Sequence, residues 1–281
     1  MKVFFRKLGQ GPEGMQSQRP LFILHGLFGL SDNWATIGKM LSEFFEVYLI
    51  DLRNHGNSPH SDEWTYGAMA EDINQLIEDV RGQRADGRNL KFILMGHSLG
   101  GKVAMQFASM YPEQLEKLIV VDMAPKDYPG DQFDFIEKLL SVNLAEMKSR
   151  KEAETELTAI IKDWATVQLL LKNIQWIPHS LTPFPKERGI EQPQILSWKF
   201  NLKVIAENQN KIGETFNIKN KIDTPTLFIR GEKSKYILDE DITEIKKIFS
   251  NPEFKTIEGA GHWVHADKPS EFKEEVKKFT L

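Results

Sequence analysis

Five apolar runs of strand length, Leu21 to Leu24, Val47 to Ile50, Phe92 to Met95, Leu118 to Val121 and Thr226 to Ile229, recur along the chain with helix-spaced sequence between them. A strand covered on both faces reads as a continuous apolar run, and parallel neighbours need a crossover helix between them. The alternation therefore predicts an α/β fold, a mostly parallel sheet with helices on both faces. One crossover helix is visible in Met69, Ile73, Leu76, Ile77 and Val80, spaced three and four apart, and these residues belong to the core. Met1 to Lys7 fits a first strand and Phe254 to Ile257 a last one, after which Pro269-Ser270-Glu271 opens a terminal helix carrying Phe272, Val276 and Phe279. From Lys126 to Ile222 the strand alternation lapses. Leu139, Leu140, Leu144 and Met147 mark one helical stripe, Leu157, Ile160, Ile161 and Trp164 another, Val167 to Leu171 extends the apolar trend, and Pro178, Pro183, Pro185 and Pro193 break the segment into pieces. The expected division is a core of residues 1–125 and 223–281, with 126–222 inserted as a helical cap over the catalytic ends of the strands.

A chain of 281 residues can bury one large core. Its 36 basic and 40 acidic residues leave a net charge of -4, which offers no field to attract nucleic acid or an anionic membrane. Cysteine is absent, so disulfides, thiolate metal sites and a cysteine nucleophile are excluded. No run nears the roughly 20 apolar residues that span a bilayer, and Met1 to Lys7 lacks the apolar core of a secretion signal. The expectation is a cytoplasmic protein.

The run Phe92 to Met95 ends abruptly in Gly96-His97-Ser98-Leu99-Gly100-Gly101, and Val103, Ala104, Phe107 and Ala108 then give an apolar helical face. Gly-x-Ser-x-Gly alone is common by chance. Between a strand and a helix it makes Ser98 a candidate nucleophile on a strained turn, with glycines two residues either side that let the elements pack closely. A serine hydroxyl needs an imidazole to take its proton and a carboxylate to orient that imidazole. Of the seven histidines, His97 adjoins Ser98 and is expected to point elsewhere, His25 and His55 precede glycines in loops, and His60 and His179 fall in surface loops. His262, in Glu258-Gly259-Ala260-Gly261-His262, follows the last strand on a flexible loop and completes the order serine, acid, histidine, with His265 as a neighbouring alternative. The oxyanion of an acyl-transfer transition state needs backbone donors, each worth about 2.7 to 4 kcal/mol. Leu99 follows the nucleophile, and Leu27 lies in His25-Gly26-Leu27-Phe28-Gly29; Phe28 takes its place if the loop is shifted. Two carboxylates stand at strand ends: Asp122, straight after Leu118 to Val121, and Glu232, in Gly231-Glu232-Lys233-Ser234.

His25 to Gly29, Asp51-Leu52-Arg53-Asn54-His55-Gly56-Asn57-Ser58, Gly96 to Gly101 and Gly259-Ala260-Gly261-His262-Trp263-Val264-His265 together resemble the α/β-hydrolase superfamily, and within it the YbfF-type bacterial esterases. Trp198-Lys199-Phe200-Asn201-Leu202 in the cap resembles that group as well. The resemblance implies hydrolysis of carboxylic esters, with acyl-CoA thioesters within the family's range. The superfamily's commonest layout places an aspartate just after the strand represented here by Thr226 to Ile229, where this chain has Ser234. Esterases of the resembled type use the position one strand earlier, which implies Asp122 as the acid and leaves Glu232 as the alternative. Asp51 belongs to a structural turn of the superfamily. Haloalkane dehalogenases and epoxide hydrolases place aspartate where Ser98 stands, which disfavours those activities. A carbon-carbon bond hydrolase or lyase on the same triad is the nearer rival, and a noncatalytic ligand-binding homologue is expected to have lost the nucleophile or the base. The expected partner is a small-molecule ester or thioester, with no metal, organic cofactor, nucleic acid or membrane; oligomeric state is not fixed by the sequence.

Overall fold

The structure, a computed structural model, describes residues 1–9, 19–82, 91–128, 130, 133–178, 194–215, 218 and 220–281. Strands β1 (Phe5–Leu8), β2 (Pro20–Leu24), β3 (Glu46–Ile50), β4 (Phe92–His97) and β5 (Leu115–Val121) come first, with helices α1 (Ala35–Leu41), α2 (Tyr66–Gly82) and α3 (Leu99–Met110) among them. Next come α4 (Phe133–Leu140), α5 (Arg150–Ile160), α6 (Trp164–Lys172), β6 (Ile174–Pro178), β7 (Gln194–Trp198), α7 (Leu202–Glu207) and α8 (Gln209–Ile212). The chain closes with β8 (Thr226–Gly231), α9 (Asp241–Ile248), β9 (Pro252–Ile257), α10 (Val264–Asp267) and α11 (Pro269–Thr280). The large sheet runs β1-β3-β2-β4-β5-β8-β9, with β1 antiparallel and every other pairing parallel. Its register aligns Leu24 with Gly96, His97 with Val121, and Val121 with Ile229, so the segments leaving β2, β4, β5 and β8 emerge along one edge.

Alternation of side chains explains the continuous apolar runs. In β4, Phe92 and Leu94 join a core layer with Phe22, Phe107 and Val120, while Ile93 and Met95 face the other way to pack with Leu21, Ile119, Trp34 and Phe272. Both faces are dry, so neither parity is polar. Met69, Ile73, Leu76, Ile77 and Val80 all lie buried along α2, and Phe272 and Val276 anchor α11. Among the described residues no helix is long and apolar enough to cross a membrane.

The segment between β5 and β8 departs from an all-helical expectation, because β6 and β7 pair as an antiparallel two-stranded sheet. The link between those strands, with His179, Pro183, Pro185 and Pro193, lies outside the described residues. The stripe from Leu139 to Met147 is not one helix: α4 stops at Leu140, which is 54% exposed, while Leu139 and Leu144 are buried. The second stripe divides too. Asp163 caps a new helix by accepting the Thr166 N–H at 2.8 Å, so Trp164 begins α6 and is 55% exposed.

Candidate active site

Strand β4 ends at His97 and α3 starts at Leu99, so Ser98 makes the reversal alone, with φ 53° and ψ -118°. A non-glycine residue in such a conformation costs on the order of 1–3 kcal/mol and persists only where its surroundings hold it. Here they do: the Ser98 N–H donates to the Val121 carbonyl at 3.1 Å, and the Gly100 N–H to the His25 carbonyl at 3.1 Å. The flanking glycines are steric necessities. A Cβ on Gly96 would stand 2.0 Å from the Gly100 oxygen, and one on Gly100 would stand 2.5 Å from that of His25. Ser98 is thereby left half-buried at the wall of a cavity of about 250 Å³, shared with His262 and Tyr236 from the sheet and with Phe135, Thr166 and Leu169 from α4 and α6.

The loop after β9 brings the His262 Nδ1 to 2.7 Å from Asp122 Oδ2. Asp122 is fully buried at φ 51°, its N–H donating to the Ile229 carbonyl at 2.7 Å, so it repeats the strained, braced turn of Ser98 one strand over. Its carboxylate also accepts the Gly231 N–H at 3.3 Å and the Ser234 hydroxyl. With Nδ1–H donating to Asp122, Nε2 of His262 carries the lone pair that a general base needs. Among the described residues no hydrogen bond joins the Ser98 hydroxyl to this ring; such contacts often tighten only when substrate binds. Glu232 lies elsewhere. Its carboxylate accepts the Gly259 N–H at 2.8 Å and so braces the loop that leads to His262.

The remaining histidines are structural in their contacts. His97, expected to point away from the turn, points under His262, with Nε2 2.9 Å from the His262 carbonyl. Burial and the neighbouring His262 and His265 hold it well below its ordinary pKa, so it is a neutral ring donating Nε2–H. His25 satisfies two contacts only as a neutral ring: Nδ1–H donates to the Gly26 carbonyl at 2.8 Å, and Nε2 accepts the Leu52 N–H at 3.0 Å. Burial pushes it down to about 4, and His55, beside it, to about 3. His265 is buried face to face on Trp34 at 3.8 Å and pushed down to about 3. His60 is exposed, its ring nitrogen 3.1 Å from the Lys199 carbonyl. Asp51 accepts the N–H groups of Ser31 at 2.6 Å and Asn57 at 2.8 Å, which closes the turn that follows β3.

At the mouth of β2, Phe28 adopts φ 57°, and the Gly29 N–H closes the turn on the Gly26 carbonyl at 2.9 Å. The N–H groups of Leu27, Phe28 and Leu99 have no acceptor among the described residues. Sequence reasoning missed what holds this loop. Buried Asn173 donates its side-chain amide to the Phe28 carbonyl at 2.8 Å and the Leu169 carbonyl at 3.0 Å, and accepts the Lys199 N–H at 2.7 Å on its own carbonyl. The Phe200 ring packs 4.9 Å from that of Phe28 with Trp198 stacked behind it, and the Asn201 N–H reaches the Asn54 carbonyl at 2.9 Å. The Trp198 to Leu202 motif thus ties the inserted segment to both loops at the sheet edge. No cluster of three or more His, Asp or Glu side chains among the described residues is arranged to hold a metal ion.

Residues 19–269 match the α/β hydrolase fold family, and the chain belongs to it. A "Putative esterase/lipase" of Haemophilus influenzae is 38% identical over 92% of this chain and 82% of its own length. Esterase YbfF of Escherichia coli is 28% identical over 99% of both chains. Among solved structures, a "Marine microorganism esterase" superposes with a TM-score of 0.85 at 40% identity, covering 99% of each chain. This chain is accordingly a carboxylic ester hydrolase.

Proposed function

We propose that the protein cleaves carboxylic esters through a Ser98–His262–Asp122 triad and an acyl-enzyme. The observation that carries this reading is the 2.7 Å bond from His262 to buried Asp122, beside a cavity onto which the strained Ser98 turn opens. Ser98 Oγ attacks the acyl carbonyl as His262 Nε2 takes its proton, and Asp122 stabilises the imidazolium without accepting that proton. The N–H groups of Leu27 and Leu99 receive the oxyanion. His262 returns the proton to the departing alkoxide, then draws one from the water that cleaves the acyl-enzyme and hands it back to Ser98. The segment between β5 and β8 acts as a cap, since Phe135, Thr166 and Leu169 supply one wall of the cavity. Around Ser98 the lining includes the apolar side chains of Leu27, Phe28, Phe135, Leu169 and Trp263 and, among the described residues, no Lys, Arg, Asp or Glu, which suits an uncharged acyl group. A thiolate leaving group fits the same chemistry, so acyl-CoA thioesters are included as candidate substrates.

A panel of p-nitrophenyl esters and acyl-CoAs tests this on the parent and on Ser98→Ala, Asp122→Asn and Glu232→Gln. Ser98→Ala is expected to lose turnover, Asp122→Asn to fall by roughly ten-thousandfold, and Glu232→Gln to stay near the parent. Full activity in Ser98→Ala sinks the mechanism. A parent-like Asp122→Asn beside a collapsed Glu232→Gln moves the acid to the later strand.

A further inference from the structure

Tyr236 follows β8 and lays its ring flat on that of His262, with centroids 3.9 Å apart and planes 19° from parallel. It is pinned from both ends of its own peptide. Its N–H donates at 3.2 Å to the Ser234 hydroxyl, the same hydroxyl that donates to Asp122, and its carbonyl accepts the Tyr128 hydroxyl at 2.6 Å. The Tyr128 oxygen is itself fixed by the Ala124 N–H at 2.8 Å, just downstream of Asp122. A side chain placed there only to fill space would not need its backbone tied to the carboxylate that orients the ring it covers.

We propose that Tyr236 is a positioning residue that holds the plane of the His262 ring and stabilises its protonated form through the π face. The proposal rests on the reading of His262 as the base. A neutral imidazole gains little from an aromatic face, whereas a cation within about 6 Å of the centroid is attracted by the ring quadrupole. The imidazolium exists only while the Ser98 proton is in transit, so the attraction is stronger in the transition state than in the resting enzyme and raises kcat. Among the described residues, the titratable groups besides Tyr236 that interact with the ring are Asp122 at the end of β5, His97 from β4 and His265 from α10. Both histidines are buried and neutral, which leaves Asp122 and the Tyr236 face to stabilise the cation.

The test is the pH dependence of kcat and kcat/KM with an uncharged p-nitrophenyl ester, on the parent, Tyr236→Phe, Tyr236→Leu and His262→Gln. In Tyr236→Leu, kcat is expected to fall by roughly 2- to 30-fold and the acid limb of kcat/KM to move down by about 0.4 to 1.5 pH units, because the imidazolium has lost its partner. Tyr236→Phe keeps the limb and most of the rate. Should the leucine variant fail to fold, Tyr236→Met is read the same way. A limb that stays where the parent's lies, whatever happens to the rate, overturns the proposal by reducing Tyr236 to a filler. His262→Gln separates the two readings: parent-like activity there overturns the base assignment itself, while an inactive His262→Gln beside an unshifted Tyr236→Leu overturns only the role of Tyr236.

Discussion

Lowering the pH from 7.5 to 5 should remove a large part of this protein's stability through its buried histidines. His25, His55, His97 and His265 are each no more than 3% exposed. Burial pushes His25 down to about 4 and His55 and His265 to about 3, and holds His97 well below its ordinary value. All four are depressed in the folded state, so as the pH falls through about 6.5 the unfolded chain takes up protons that the folded chain refuses. Their contribution is fully present above 6.5 and is lost progressively as the pH drops toward 4 for His25 and 3 for His55 and His265. At pH 5 each such ring costs about 2 kcal/mol, so the three with assigned values together cost about 6 kcal/mol, and His97 adds to this. A domain's whole stability is about 5–15 kcal/mol. The assay is urea unfolding at steps between pH 7.5 and 5, a window above most carboxylate titration. His265→Phe supplies the control, since it keeps a ring against Trp34 and removes one titrating group; its slope should be shallower by up to about 1.4 kcal/mol per pH unit. Flat stability across the window, or a parental slope in His265→Phe, would refute the reasoning.

Three further outcomes are expected. Asn173→Ala removes the amide that grips the Phe28 and Leu169 carbonyls, and should cost about 1–3 kcal/mol in urea unfolding while lowering kcat more than it changes KM. Gly96→Ala drives a Cβ to 2.0 Å from a backbone oxygen in the first turn of α3, and should cost about 3 kcal/mol or more, read as a loss of soluble, folded protein. Lys102→Met removes a buried ammonium that donates to the carbonyls of Lys126 at 3.1 Å, Gly213 at 2.6 Å and Glu214 at 2.6 Å. The Gly213 oxygen keeps the Tyr128 N–H, so two of the three carbonyls are left without a donor among the described residues, and chemical unfolding should register about 2–4 kcal/mol.

The sheet was legible because β2, β4, β5 and β8 are covered on both faces, which writes burial into every consecutive residue of a run. The pairing of β6 with β7 was not. Ile174–Pro178 and Gln194–Trp198 mix buried, half-buried and exposed positions with no two-residue period running through either, so neither segment carries the alternation that marks a strand in sequence. Ser98 and His262 announce themselves locally, one by glycine spacing and the other by its place after the last strand. Choosing between Asp122 and Glu232 needs tertiary register, because each leaves the C-terminal end of a neighbouring strand. Val121 sits level with Ile229, which sets Asp122 beside Gly231 and Ser234 while Glu232 passes on to Gly259. The contacts of His97, Asn173 and Tyr236 were invisible for the same reason: each acts on a residue from another part of the fold.

The backbone carries a signature of its own. Ser98, Asp122 and Phe28 all take φ between 51° and 57° just beyond β4, β5 and β2, a region where glycine is free and other residues are strained. The sheet compensates by extending its hydrogen bonds past the strand ends, from the Ser98 N–H to Val121 and from the Asp122 N–H to Ile229. Phe28 is held instead by the Asn173 amide on its carbonyl. Glycine at any of these positions would relieve the conformational cost, so stability alone does not account for a hydroxyl, a carboxylate and an aromatic ring there. What the three side chains share is the sheet edge. Ser98 and Phe28 line the cavity, and Asp122 reaches it through His262. Strain placed where the chemistry is, and offset by bonds to the next strand or to the inserted segment, is the physical argument for reading this edge as the working site.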